Sequence, residues 1–193
     1  HVIAKTNAPK FSGRNKKDYV PWKSALEEEV EQFNPTSKEW MVILQARTTS
    51  IPGKIVNKGQ LLQHEKGAEN ALVFIWTQLN RLFTTKRKPS QYIVQELKEG
   101  STVTASDDWS LWEFSIDCQM VISFMDGNDR LTEQLDDKDT QKTIMKRLER
   151  PLQMEWLKER STYLETHDVV PFVHFAKWIT KMADIYMEHN ADS

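Results

Sequence analysis

Between residues 67 and 83 the apolar side chains Ala68, Ala71, Leu72, Ile75, Leu79, Leu82 and Phe83 recur at helical spacing. That spacing puts them on one face of a helix and commits the segment to burying that face. The same step recurs in Trp22, Leu26, Val30 and Phe33, in Trp109, Trp112, Ile116, Met120 and Phe124, and in Phe172, Phe175, Ile179, Met182 and Tyr186. No stretch alternates with period two between hairpin signals, and six glycines in 193 residues are too few for many tight turns. The expected fold class is all-α, arranged as two small helical bundles.

Helix punctuation sets the domain boundaries. Asp18 stands where it can cap a first helix, with Pro21 tolerated in the first turn, and Asn34-Pro35 ends that helix. Thr36-Ser37-Lys38-Glu39 has the form of a capping box before Trp40, Ile43, Leu44 and Arg47. Pro52 begins a short helix bearing Ile55 and Val56, which Gly59 is expected to interrupt. After the helix from Gly67, the polar run Thr84 to Lys88 closes on Pro89 and reads as a linker. Beyond it lie a short helix to about Lys98, one opened by Asp107 or Asp108 and stopping near Gly127, and one or two turns from Asn128 to Leu135. A helix from about Asp139 carries Ile144, Met145 and Leu148. Pro151 breaks the chain before Leu152, Trp156, Leu157 and Leu164, and a last helix runs from Pro171. The expected organisation is an extended N-terminal arm (1–17), a helical lobe (18–85), a linker (86–90) and a second helical lobe (91–193). No internal repeat of fixed period is visible.

Net charge is −2, but residues 1–90 carry 15 basic and 8 acidic side chains (+7), and residues 91–193 carry 11 and 20 (−9). Oppositely charged halves permit head-to-tail attraction between copies.

Reactive chemistry is missing from the pattern. There is no glycine-rich phosphate loop, no CxxC pair, no HExxH and no serine elbow. His167 and His174, the nearest histidine pair, match no zinc spacing. Asp107-Asp108 and Asp136-Asp137 with Asp139 fall where helices begin and read as caps rather than paired acid–base carboxylates. Cys118, the single cysteine, reads as a small core hydrophobe in a reducing compartment. The chain is expected to be no enzyme, to need no cofactor or metal, and to reside in the cytoplasm. No apolar run approaches the roughly 20 residues that cross a bilayer, so no membrane partner is expected. Lys86-Arg87-Lys88, with Arg81 nearby, is the densest basic patch: a solvated linker on the plain reading, a contact for RNA phosphates or for the other lobe on the sharper one.

Pro9-Lys10-Phe11-Ser12-Gly13, followed nine residues later by Trp22, resembles the Pro-Lys-Phe-x-Gly … Trp opening of Gag proteins from BEL/Pao-type LTR retrotransposons. Ile51-Pro52-Gly53-Lys54-Ile55-Val56 and the helix Leu72 to Phe83 are similar to segments of the family's first capsid lobe. Leu148-Glu149-Arg150-Pro151 with Trp156 is similar to a stretch late in the second. The resemblance spans about residues 9 to 187. It implies two capsid lobes that self-associate into shells packaging retroelement RNA, as a hexamer and pentamer lattice or as a dimer through the C-terminal lobe. The RNA-binding segment would lie downstream of this region. The alternative it leaves open is a domesticated Gag-derived adaptor that binds peptide or protein partners, in a groove of the first lobe, without forming shells.

Overall fold

A computed structural model describes residues 9–191. Among the described residues there are ten α-helices, one 3-10 turn and two isolated parallel bridges, and no sheet, so the chain is all-α. The helices are α1 (Tyr19–Glu31), α2 (Ser37–Arg47), α3 (Ser50–Lys66), α4 (Ala68–Phe83), α5 (Pro89–Glu99), α6 (Asp108–Met125), α7 (Asp129–Asp136), α8 (Lys138–Met145), α9 (Arg150–Leu164) and α10 (Phe172–Ala191). Contacts divide the chain into two units between Tyr92 and Ile93, inside α5. No charged residue lies from 90 to 92, so the +7 and −9 totals belong to these two units as well.

In the first unit α3 and α4 form the tightest pair, joined through Gly67. Ile75, Leu79 and Leu82 of α4 are fully buried, each contributing about 1.5–3 kcal/mol of hydrophobic stabilisation. Gly59 does not interrupt α3. A Cβ there would sit 2.5 Å from the Ile75 side chain, so the glycine lets the two helices approach closely while the helix runs on to Lys66. The capping box forms: the Glu39 N–H donates to Thr36 Oγ1 and the Thr36 N–H to Glu39 Oε1, each at 3.2 Å. Asp18 makes no side-chain cap. That role falls to Asn15, whose Oδ1 accepts from the Lys17 N–H (3.1 Å) and opens the 3-10 turn Lys16–Asp18 ahead of α1.

The arm expected over residues 1–17 lies partly outside the described residues. Its described part is tied to the unit: Phe11 is buried, its N–H donates to the Arg47 carbonyl (2.9 Å), and its carbonyl accepts from the Thr49 N–H (3.0 Å). The expected linker is shorter than 86–90, because Pro89 and Ser90 form the first turn of α5, where proline's fixed φ costs nothing. Phe33 lies beyond the end of α1 and is half exposed rather than on its buried face.

The second unit is built around α6, which buries residues on most of its circumference, among them Leu111, Phe114, Cys118 and Val121. Its main partner is α10: Phe114 meets Phe175 edge-on at 6.2 Å, and Gln119 Nε2 donates to Thr180 Oγ1 at 2.8 Å. The acidic clusters cap helices. Asp107 accepts from the Ser110 N–H (3.2 Å), Asp137 from the Thr140 N–H (2.9 Å), and Asp136 from the Phe172 N–H (2.8 Å) at the start of α10. The buried Gln141 amide donates to the Leu135 and Val170 carbonyls (3.1 and 2.8 Å), so its polar head is satisfied in the core. Cys118 is fully buried, and its thiol is pushed well above its ordinary value, first by burial and then by Asp117, with Arg147 opposing.

Candidate functional site

Four of the five fixed residues of the Pro-Lys-Phe-x-Gly … Trp motif come together. Pro9, Lys10, Phe11 and Trp22 line one cleft of about 380 Å³ in the first unit, with Ser12, Asp18, Pro21, Ala25, Leu26, Glu29 and Arg47 completing it. The size is at the small end of ligand-binding cavities. Gly13 stands outside the cleft and explains itself differently. Its φ is +74°, and a Cβ would meet Phe83 and Pro52 at 3.0 Å, so only glycine lets the segment turn there and lie against α3 and α4.

The cleft wall is aromatic and graded in exposure. Phe11 stacks on Trp22 (5.2 Å between centroids) and meets Phe83 edge-on (4.8 Å). From Trp22 the contacts run outward to Trp76 (6.4 Å) and on to Trp40 (5.9 Å), with the Lys23 ammonium 5.0 Å over the Trp76 ring. Trp22, Trp40 and Trp76 are each part exposed. Three part-exposed tryptophans in one contact chain are more than a helical core stripe needs, and large aromatics of this kind anchor protein contacts. Beneath them Tyr19 is fully buried; burial, and then Glu27, raise its phenol above its ordinary value, and its hydroxyl donates to Asn80.

Two of the cleft's charged groups pair with each other. Arg47, at the end of α2, is 4% exposed and donates to Glu29 Oε1 of α1 at 3.0 Å. The Trp22 indole Nε1–H is buried with no hydrogen-bond partner, a cost of about 1–3 kcal/mol that a more polar surrounding would remove. The arrangement offers apolar surface for one or two side chains and flanking charges of both signs. Among the described residues no group of three His, Cys, Asp or Glu side chains could hold a metal ion.

The basic residues separate into two groups. Arg81 is engaged within α4 and with the next helix: its guanidinium donates to Gln78 and lies 6.0 Å over the Tyr92 ring. Lys86, Arg87 and Lys88 are exposed in the turn after α4. Sequence reasoning missed what holds that turn. Lys16 Nζ donates to the Thr85 and Arg87 carbonyls, the latter at 2.9 Å, across about seventy residues of chain. In the second unit His167 and His174 both stack on Tyr163 (3.9 and 4.0 Å), with His174 Nε2 3.1 Å from Glu159. That geometry is aromatic packing at the α9–α10 junction. Among the described residues no helix is long and apolar enough to cross a membrane. Compared with known proteins, the chain matches no family model, no curated protein and no solved structure.

Proposed function

We propose that the chain is a non-catalytic, self-assembling structural module of the Gag capsid kind, with its two units acting as the lobes of a shell-forming subunit. The observation that carries this reading is the coincidence of two divisions. Net charge changes from +7 to −9 at the same place where the contacts divide the chain. A basic unit of one copy attracts the acidic unit of the next, and head-to-tail contacts of this sort close into rings or extend into lattices. Each contact is weak; repetition supplies the avidity. Met154 and Leu157, half exposed on neighbouring turns of α9, add apolar surface in the second unit for such a contact. Negative-stain microscopy of the purified chain tests the reading: shells, tubes or regular sheets are expected, and featureless fields at high concentration would count against it.

The cleft favours a second reading, an adaptor that seats a peptide of a partner protein between Phe11 and Trp22. It predicts a native chain that forms no shells yet retains a selected peptide, and a Trp22→Ala variant that no longer retains it. Shells formed by the native chain, with peptide retention unaffected by Trp22→Ala, would count against it.

A further inference from the structure

The exposed basic turn after α4 has no part in the cleft, and the structure enlarges it. Through its bonds to the Thr85 and Arg87 carbonyls, Lys16 pins the segment 14–18 against the turn 84–88. Arg14, Lys17, Lys86, Arg87 and Lys88 are all exposed, and none forms an ion pair with a described carboxylate. Asp18 is the one acidic residue in either segment. Five cations from two distant stretches of sequence therefore share one surface of the first unit, held in place before any ligand arrives.

We propose that this patch binds the phosphate backbone of single-stranded nucleic acid, so that the first unit has its own nucleic-acid contact. Two observations select this ligand over an anionic bilayer. Neither segment contains an apolar residue to enter a membrane: they read Arg-Asn-Lys-Lys-Asp and Thr-Thr-Lys-Arg-Lys. Basic surfaces that lie on bilayers interleave cations with large apolar side chains. At the edge of the patch, one helical turn past Lys88, stands Tyr92, part exposed and with the Arg81 guanidinium 6.0 Å from its ring. An aromatic ring and a guanidinium beside a cationic track is the combination on which unpaired bases stack. Recognition is electrostatic and indifferent to sequence, since contacts to phosphate carry no base information.

The test is fluorescence anisotropy of a labelled oligouridylate of about 16 nucleotides against the full chain, over a range of salt. Five phosphate contacts predict a slope of log affinity on log salt of about −3.5, which is about a 100-fold loss between roughly 50 and 200 mM. Replacing Lys86, Arg87 and Lys88 together by Gln lowers the slope to about −1.4, and replacing Arg14 and Lys17 lowers it to about −2.1, each with at least a tenfold loss of affinity at low salt. A variant with Lys38, Lys58 and Lys66 changed to Gln removes the same charge elsewhere in the unit and keeps both affinity and slope. The inference is overturned by absent binding, by binding that the patch variants leave unchanged, or by equal losses in the Lys38/Lys58/Lys66 variant. Vesicles of phosphatidylserine and phosphatidylcholine form a parallel arm, and binding to them without binding to the oligonucleotide overturns it as well. The proposal does not rest on self-assembly: a chain that stays monomeric and binds in this way supports it.

Discussion

Both units are closed by the same backbone device and then packed in different ways. In the first, Phe11 bridges to Thr48, just before α3; in the second, Val103 bridges to Leu148, just before α9. The hydrogen bonds correspond one for one. Phe11 donates to the Arg47 carbonyl and accepts from Thr49 (2.9 and 3.0 Å), and Val103 donates to the Arg147 carbonyl and accepts from Glu149 (2.7 and 2.9 Å). Each bridge fastens the stretch ahead of the unit's first long helix to the turn before a helix with proline near its start, Pro52 in α3 or Pro151 in α9. The tightest helix pairs do not correspond. In the first unit they are α3 and α4, neighbours in sequence; in the second they are α6 and α10, separated by all of α7, α8 and α9. The tightest helix pair of the first unit is therefore local in sequence, whereas that of the second forms only when its last helix docks.

The largest effect should come from that last helix. Phe172 is fully buried at its start, and Phe172→Ala should cost about 3–5 kcal/mol. Amide exchange should show protection lost across α6 and α10 while α3 and α4 keep theirs. Simultaneous loss in both units would break the comparison.

The arginine at the second unit's bridge comes next. Arg147 donates to the Ser101 carbonyl (3.0 Å) and the Glu96 carbonyl (2.8 Å) and lies 5.1 Å over Phe114, so it secures the end of α5. Arg147→Met should cost about 2–3 kcal/mol in denaturant titrations, as charge-assisted bonds to two carbonyls are lost.

In the first unit the α3–α4 pair rests on the close approach at Gly59. Alanine there would gain about 1 kcal/mol in helix propensity yet lose about 1–3 to the collision with Ile75. Gly59→Ala should therefore be destabilising, and the addition of Ile75→Val should recover most of the loss. A stabilised Gly59→Ala would show that the α3–α4 contact is looser than 2.5 Å implies.

The gentlest probe is alkaline pH. Tyr19 and Cys118 hold their protons more tightly folded than unfolded, so each contributes stability that is present below its ordinary value and declines as pH rises above it. Those ordinary values are 9.0 for the Cys118 thiol and 10.0 for the Tyr19 phenol. The second unit should soften first, and Cys118→Ala should remove the earlier limb of the melting profile.

The difference between the units also marks what could be read from residue order. Helix identity, the Thr36–Glu39 box and the caps at Asp107 and Asp137 were legible because each rests on residues within one or two turns. The bridges were not, since one residue pairing across 37 or 45 positions leaves no periodic trace. Gly59 misled for a related reason: its partner, Ile75, lies on another helix. In the cleft, Phe11 and Trp22 stood out only through resemblance, and nothing local announced that Arg47 would be buried against Glu29. The basic turn was visible as composition, but its union with residues 14–17 depends on the reach of Lys16.

The central claim is that oppositely charged units drive assembly of like copies, and sedimentation velocity at low and high salt tests it most directly. The account predicts large species at low ionic strength that dissociate as salt screens the attraction over about 10 Å. A single slow boundary at every salt concentration, or association that strengthens with added salt, would contradict it.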